Sequence, residues 1–410
     1  DFENVRTREL LCSIDKEEFN TKNESNTYVI IPIHEKHETD EFYLSSDMSK
    51  QEISDPNVVK VVVSWDSNEN DHGKALYFSR SAVPYKSNEY WHHIGIYAWK
   101  RESLKHFISL KDTPKEDIMK LIETGLSFRE VLERPVKKVP TLSGKNILNL
   151  FFENSTRTKM SFELAEKRLS ADVTNFSASS SSLNKGETFR DTVQNIQVMK
   201  IDCIVMRHPS PGSSLQLTNF VDSIIVNGGD GCHEHPTQAM LDVMSIYEKF
   251  ETFKNLKVAI IGDILHSRVA LSNIYALKKL GVEVTLCGPP HLIPIGIQDL
   301  GVDINYNVDE VLEWADAINV LRIQRERMGI GLIPSVREYR EVFGITSKRI
   351  ESLKKEIVIM HPGPINRGVE LDGDVADSHN SIILNQVLNG VAIRMSILYH
   401  LLSEGDTIND

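Results

Sequence analysis

Apolar positions in this chain fall into short, predominantly apolar runs separated by stretches of helical period. The clearest run, Ile147 to Phe152, stops at Glu153-Asn154-Ser155-Thr156-Arg157-Thr158, after which Met160, Phe162, Leu164, Ala165 and Leu169 recur at helical spacing. A continuous apolar run bounded by polar turn residues predicts a buried strand, and recurrence at three and four predicts a helix with one buried face. The same logic predicts strands from Val173 to Phe176, Ile201 to Arg207, Ile224 to Asn227, Ala317 to Leu321 and Ile357 to Met360, and Lys257 to Asp263 opens a second αβ unit. Helical patterns fall between them, and a last one runs from Ile382 to Leu402. Thr113-Pro114-Lys115-Glu116 reads as a capping box that opens another helix. Such alternation predicts an α/β protein with doubly wound, mainly parallel sheets, whose ligands sit beyond the carboxyl ends of the strands.

The first hundred residues follow a different pattern. Residues 1–50 are polar and irregular, with alternation at Tyr28 to Ile33 that predicts one strand. Val58 to Val63 predicts a second, followed by an Asp-, Asn- and Gly-rich loop from Asp66 to Gly73.

Composition narrows the function classes. The 410 residues suffice for two or three domains. A net charge of −12 and a pI near 5.7 argue against a general nucleic-acid binder. No run of about 18 apolar residues is present, so no membrane span is expected. No signal peptide is read at Asp1, where the sequence opens without a methionine. Cys12, Cys203, Cys232 and Cys287 lie far apart without CxxC spacing, which reads as reduced thiols in a cytoplasmic protein. Cys203 and Cys287 read as core residues, and no metal site is expected.

The chemistry concentrates at strand ends. The unpaired N–H groups of a helix start point at one spot, and Ser155, Thr156 and Thr158 add hydroxyls there while Arg157 adds a planar cationic fork. That combination suits a phosphate; the plainer alternative is a serine cap beside a solvated arginine. Arg207 ends a predicted strand, and His235-Pro236-Thr237-Gln238 opens a predicted helix. Ser177 to Thr188 reads as a flexible polar loop. Gly262-Asp263-Ile264-Leu265-His266-Ser267-Arg268 lacks G-x-G-x-x-G, which argues against dinucleotide binding. Arg268 and Arg322 each follow a strand, and Gly329 to Gly344, with Arg337 and Tyr339, has loop character.

Taken in order, Ser155-Thr156-Arg157-Thr158, Lys185-Gly186-Glu187-Thr188, Met206-Arg207-His208-Pro209, His235-Pro236-Thr237-Gln238 and His361-Pro362-Gly363-Pro364 resemble the carbamoyltransferase family, in its aspartate carbamoyltransferase branch. The resemblance runs from about Phe107 to Leu402. It implies a carbamoyl-phosphate-binding domain over residues 104–250, with a C-terminal helix at 381–402 packing back on it, and an aspartate-binding domain over 251–380. It further implies carbamoyl phosphate held by Ser155, Thr156, Arg157, Thr158, Arg207, His235, Gln238, Pro362 and Gly363. Of these Arg157, Thr158, Arg207 and His235 would be catalytic, and Asp230 and Asp242 would support or cap. Aspartate would be held by Lys185, Arg268, Arg322 and Gln324. Ser181 and Lys185 would come from a neighbouring subunit of a homotrimer, while regulatory chains are left open. The resemblance implies no cofactor and no metal. Ornithine enzymes carry a cysteine after the histidine of the last motif and an S-M-G loop, and this sequence has neither. A carbamoyltransferase with another amino-acid acceptor remains the alternative.

A second resemblance covers about residues 28–103. Asp55 to Val61, Ala75 to Tyr85 and His92 to Trp99 are similar to the middle of 3-deoxy-manno-octulosonate cytidylyltransferases, with His93 and Arg80 on positions that family uses near the sugar. The family's nucleotide loop, its Q-G-D-E-P segment and its metal-binding aspartate have no counterpart here. Residues 1–103 therefore read as a partial α/β segment. A bifunctional fusion that retains cytidylyl transfer is a further alternative.

Overall fold

The structure is a computed structural model that describes residues 28–33, 41–47, 60–65, 73–79, 81, 91–99, 105–153, 155–177, 189–324 and 335–403. The chain divides into two compact units, Asp1–Ser103 and Leu104–Asp410.

In the first unit, β1 (Tyr28–Ile33), β2 (Glu41–Asp47), β3 (Lys60–Trp65), β4 (Gly73–Ser79) and β5 (Trp91–Trp99) form one sheet in the order β1-β2-β5-β3-β4. Every described pairing in it is antiparallel. Of the strand expected at Val58 to Val63, Lys60 to Val63 lie in β3, and residues 58 and 59 lie outside the described residues.

The second unit starts with α1 (Lys115–Glu133). The expected capping box is absent: Thr113 Oγ1 donates to the Ser109 carbonyl instead, at 2.7 Å, and Pro114 stands at the helix boundary. Next come β6 (Asn146–Phe151), α2 (Thr156–Arg168), β7 (Asp172–Ser177), α3 (Phe189–Val198), β8 (Cys203–His208), α4 (Ser213–Leu217), β9 (Ile224–Asp230) and α5 (Pro236–Phe250). The four strands are parallel in the order β7-β6-β8-β9. A second α/β set follows: β10 (Lys257–Ile261), α6 (Arg268–Lys279), β11 (Glu283–Cys287), β12 (Asp303–Ile304), α7 (Val308–Trp314) and β13 (Ala317–Val320). It closes with α8 (Val336–Phe343), α9 (Ser347–Ser352), β14 (Val358–Met360), α10 (Gly373–Ala376) and α11 (Ile383–Leu402). Its parallel sheet has the order β12-β11-β10-β13-β14.

Both sheets are covered on both faces, which explains why β6, β8, β10 and β13 read as predominantly apolar runs rather than alternating ones. Cys203 in β8 and Cys287 at the end of β11 are buried. The last helix, α11, leaves the second sheet and packs against α1, α2 and α5, with Ile393, Ile397, Leu398 and Leu401 in the same core as Ile118, Phe162 and Met244.

Of the loop expected from Gly329 to Gly344, residues 329–334 lie outside the described residues and the remainder needs correction. Residues 335–343 form α8 with its serine cap, in which the Ser335 hydroxyl accepts from Glu338 N at 3.0 Å. Tyr339 and Phe343 are buried in the core of the second half, so Tyr339 is a packing residue of a helix.

Candidate functional site

Each sheet reverses its winding once. In the first, the chain leaves β6 for β7 on one side and then crosses to β8 on the other, so the crevice between β6 and β8 opens at their carboxyl ends. In the second, the equivalent crevice lies between β10 and β13. Open α/β sheets bind ligands at such switch points. The candidate residues sit at both: Ser155 to Thr158 after β6, Arg207 in β8, Arg268 after β10 and Arg322 after β13. One cavity of about 700 Å³ joins the two crevices and is lined from both halves, by Ser155, Thr156, Arg157, Thr158, Arg207, His235, Gln238, Arg268, Arg322, Gln324, Pro362 and Gly363. Ser181 and Lys185 lie outside the described residues.

The floor is a helix start. Ser155 flanks α2 in an extended conformation, and its hydroxyl makes no capping bond to the helix. No acidic residue stands in the first turn. The positive end of the helix is therefore left to an incoming anion. Arg157 lies in the mouth, close enough to Gly363 that an added Cβ there would stand 1.9 Å from Nη1. Gly363 itself has φ +63°. Partial desolvation, together with the charge of Arg322, lowers the Arg157 pKa.

Arg207 and Arg268 converge on Glu153, a residue the sequence reading did not single out. Glu153 Oε2 is 3.2 Å from Arg207 Nε and 2.8 Å from Arg268 Nη2. Arg207 Nη1 also donates to the Gly228 carbonyl at 3.2 Å. Arg268 is 4% exposed, so a cation that deep needs the carboxylate beside it.

His235 flanks α5, with Pro236 in the first turn. Its backbone N–H donates to Ser272 Oγ at 2.9 Å, and Ser272 Oγ in turn donates to the buried Glu234 at 2.9 Å. Burial lowers the imidazole well below its ordinary pKa, reinforced by Arg207, Arg394 and Arg268, so it is neutral at physiological pH. Gln238, one turn further on, donates to Asp242 at 3.0 Å. At the far wall, His361 Nδ1 accepts from Gly363 N at 2.7 Å and Nε2 faces Glu370 at 3.3 Å. Those contacts fix the proton on Nε2 and shape the turn that presents Pro362 and Gly363.

Arg394 was also missed. It lies on α11, 3% exposed, at the edge of the cavity. Its guanidinium lies 4.8 Å from the centre of the Phe162 ring and donates to Ser161 Oγ at 2.8 Å. Burial and Arg207 push its pKa down to about 9. A usable signal was present: Gln386, Gly390 and Arg394 recur every four residues in a largely apolar helix, a stripe of polar and small residues that sets that face apart. The expectation that Asp230 supports or caps agrees with its contacts: its carboxylate accepts from Gly212 N at 2.7 Å and from Glu234 N at 3.0 Å. Asp242 caps no helix end; it is fully buried and accepts hydrogen bonds from four side chains.

Two doubly wound halves with cationic switch points facing one cavity define an α/β protein with an anion-binding cleft between the halves. Comparison with known proteins makes the class specific. The carbamoyl-P binding domain of the aspartate/ornithine carbamoyltransferase family matches residues 105–248, and the Asp/Orn binding domain of that family matches residues 254–401. The aspartate carbamoyltransferase catalytic subunit of Christiangramia forsetii is 59% identical over 302 residues, covering 74% of this chain and 97% of that protein. That of Flavobacterium psychrophilum is 57% identical over 305 residues, covering 74% and 99%. Among solved structures, the Trypanosoma cruzi aspartate transcarbamoylase in complex with carbamoyl phosphate and aspartate superposes with a TM-score of 0.67 at 30% identity, covering 73% of this chain and 97% of that one. Ornithine carbamoyltransferase from Pyrococcus furiosus gives 0.64 at 27% identity, covering 73% and 98%. The chain belongs to the aspartate/ornithine carbamoyltransferase family.

Proposed function

We propose that this chain transfers the carbamoyl group of carbamoyl phosphate to the α-amine of L-aspartate, giving N-carbamoyl-L-aspartate and phosphate, a step of pyrimidine biosynthesis. The observation that carries the reading is the cavity shared by the two switch points, with a bare helix start and Arg157 on one side and Arg268 and Arg322 on the other. Relatives of 57–59% identity are aspartate carbamoyltransferase catalytic subunits, and the Trypanosoma cruzi relative holds carbamoyl phosphate and aspartate.

In this reading the N–H groups and hydroxyls of Ser155, Thr156 and Thr158, with Arg157 and Arg207, hold the phosphate. Thr158, Arg207 and the neutral His235 donate to the carbonyl oxygen, whose negative charge grows as the amine attacks. Gln238, its amide oriented by Asp242, and the Pro362-Gly363 carbonyls hold the carbamoyl amide. Arg268 and Arg322, with Gln324, clamp the two carboxylates of aspartate. The new C–N bond forms as the C–O bond to phosphate breaks, and the departing phosphate takes the amine proton. Positioning and preset electrostatics then supply the acceleration, on the order of ten kcal/mol.

Ser181 and Lys185 reach the site from a neighbouring subunit of a cytoplasmic homotrimer, with regulatory chains as further partners. Residues 1–103 are a partial cytidylyltransferase-like segment without the nucleotide loop, and CTP-dependent pyrophosphate release would contradict that part.

The test is an acceptor panel with purified chain and carbamoyl phosphate. Carbamoyl-aspartate is the expected product, lost by a factor of about 10² to 10³ in Arg157→Ala. Activity with ornithine or an acetylated amino acid but not with aspartate would overturn the acceptor assignment.

A further inference from the structure

Asp242 is completely buried on α5, one helical turn beyond Gln238. Its two carboxylate oxygens accept four hydrogen bonds, and every donor is a side-chain amide. Oδ1 accepts from Gln238 Nε2 at 3.0 Å and from Gln386 Nε2 at 2.7 Å. Oδ2 accepts from Asn273 Nδ2 at 2.8 Å and from Asn319 Nδ2 at 3.0 Å. Asn273, Asn319 and Gln386 are themselves buried, at 1–2% exposure.

The four donors are distributed by segment. Gln238 itself lines the cavity. Asn273 lies on α6, the helix whose first residue is Arg268. Asn319 lies in β13, the strand that delivers Arg322 just past its end. Gln386 lies on α11, and its Oε1 accepts from His361 N at 3.0 Å, in the turn that presents Pro362 and Gly363. The backbone N–H of His361 can only donate, so the Gln386 oxygen must face it and the Gln386 amide must face Asp242. A carboxylate offers about four acceptor directions, and here all four are taken, each by a different substrate-facing segment.

We infer that Asp242 is the positioning residue of the site: one buried carboxylate sets the mutual placement of Gln238, Arg268, Arg322 and the Pro362-Gly363 turn. It touches no substrate. The inference rests on the transfer reaction given above for what those segments hold, but the tether itself is testable without activity. Saturating a carboxylate with neutral amides, rather than with an arginine, gives a directional anchor: each amide must point its N–H inward, which fixes the rotation of the side chain and the segment bearing it. A buried network of this kind places every member or none, because an unpaired amide in it carries a full desolvation penalty.

The substitution Asp242→Asn keeps size and shape but turns one oxygen into an NH₂ that faces two donors. Its expected signature has two parts. Amide hydrogen exchange accelerates together around residues 238–241, 268–273, 319–322 and 361–363. In the folded variant kcat/KM falls for both substrates by about 100-fold, the scale of a misplacement near 1 Å. Single-donor variants divide the effect: Asn273→Ala raises KM for L-aspartate and leaves KM for carbamoyl phosphate unchanged. Gln386→Met raises KM for carbamoyl phosphate. These two variants decide the matter if Asp242→Asn does not fold. Faster exchange confined to α5, or single-donor variants that lower the melting temperature with both KM values intact, would overturn the inference. An inactive wild-type protein whose Asp242→Asn variant still loosens all four segments would instead count against the transfer reading alone.

Discussion

Glu153 meets Arg268 with both carboxylate oxygens, 2.8 and 3.1 Å from the same guanidinium nitrogen, across 115 residues of sequence. An acidic side chain inside an anion-binding cavity looks misplaced until Arg207 is considered, whose Nε is 3.2 Å from the same carboxylate. Two guanidinium groups from the two halves of the second unit would repel each other without it. Glu153 therefore holds the pair in register.

Glu153→Gln tests this. A hydrogen bond to a charged group contributes about 1.5–3 kcal/mol, so KM for L-aspartate should rise by about ten- to a hundredfold. Steady-state kinetics with both substrates, alongside a melting curve to establish folding, measures it. An unchanged KM for aspartate would mean that Arg268 is placed by its packing alone.

His235 is the second case, and its pH dependence has a definite sign. Burial, with Arg207, Arg394 and Arg268 around it, depresses the folded-state pKa well below the ordinary value near 6.5. The stability linked to this group is thus fully present above about pH 6.5 and is lost as pH falls toward the folded value. His235→Gln removes the linkage, so the destabilisation it causes should be smaller at pH 5 than at pH 8. It should also lower kcat by about 10²-fold through loss of a donor to the carbonyl oxygen. Imidazole ¹⁵N shifts should report a neutral ring at pH 5.5; a protonated ring there would contradict the assignment.

Glu166 has the opposite sign. It is buried in α2, accepts from Asn149 Nδ2 at 2.8 Å, and its other oxygen has no partner among the described residues. Burial pushes its pKa up to about 8, so it stays protonated at neutral pH. Its contribution to stability is complete below the unfolded value near 4.3 and is lost as pH rises through about 8. Glu166→Gln mimics the protonated form at every pH. It should melt at nearly the wild-type temperature at pH 5 and several degrees higher at pH 8.5, as scanning calorimetry would show.

How far the sequence revealed this molecule depends on the range of the forces involved. The β6 strand and the start of α2 were readable because an apolar run and a hydroxyl cluster act within a dozen residues. The arginines at strand ends were readable because the α/β alternation already says where ligands sit. The carboxylates Glu153 and Asp242 acquire their roles mainly from distant partners, up to 115 and 144 residues away along the chain. No local pattern contains them. Helix α8 was misread for a different reason: Val336, Tyr339 and Phe343 do recur at helical spacing, but they lie between glycines amid charged residues that resemble a loop.

A last prediction concerns the backbone beneath the two central arginines. Gly229 has φ +116°, and a Cβ built there would lie 2.9 Å from Arg268 Nη1 and 3.2 Å from Arg207 Nη1. Alanine at this position therefore carries two separate penalties: a left-handed conformation that side chains avoid, and displacement of both guanidinium groups. Gly281 isolates the first, since its φ is +81° with nothing within 4 Å of the added Cβ. Gly281→Ala should lower stability by about 1–2 kcal/mol with both KM values unchanged. Gly229→Ala should lower stability by at least as much and also reduce kcat/KM for both substrates by more than about tenfold. If the two variants lost stability equally and both kept wild-type kinetics, the close approach of Arg207 and Arg268 to the Gly229 backbone would have no part in placing them.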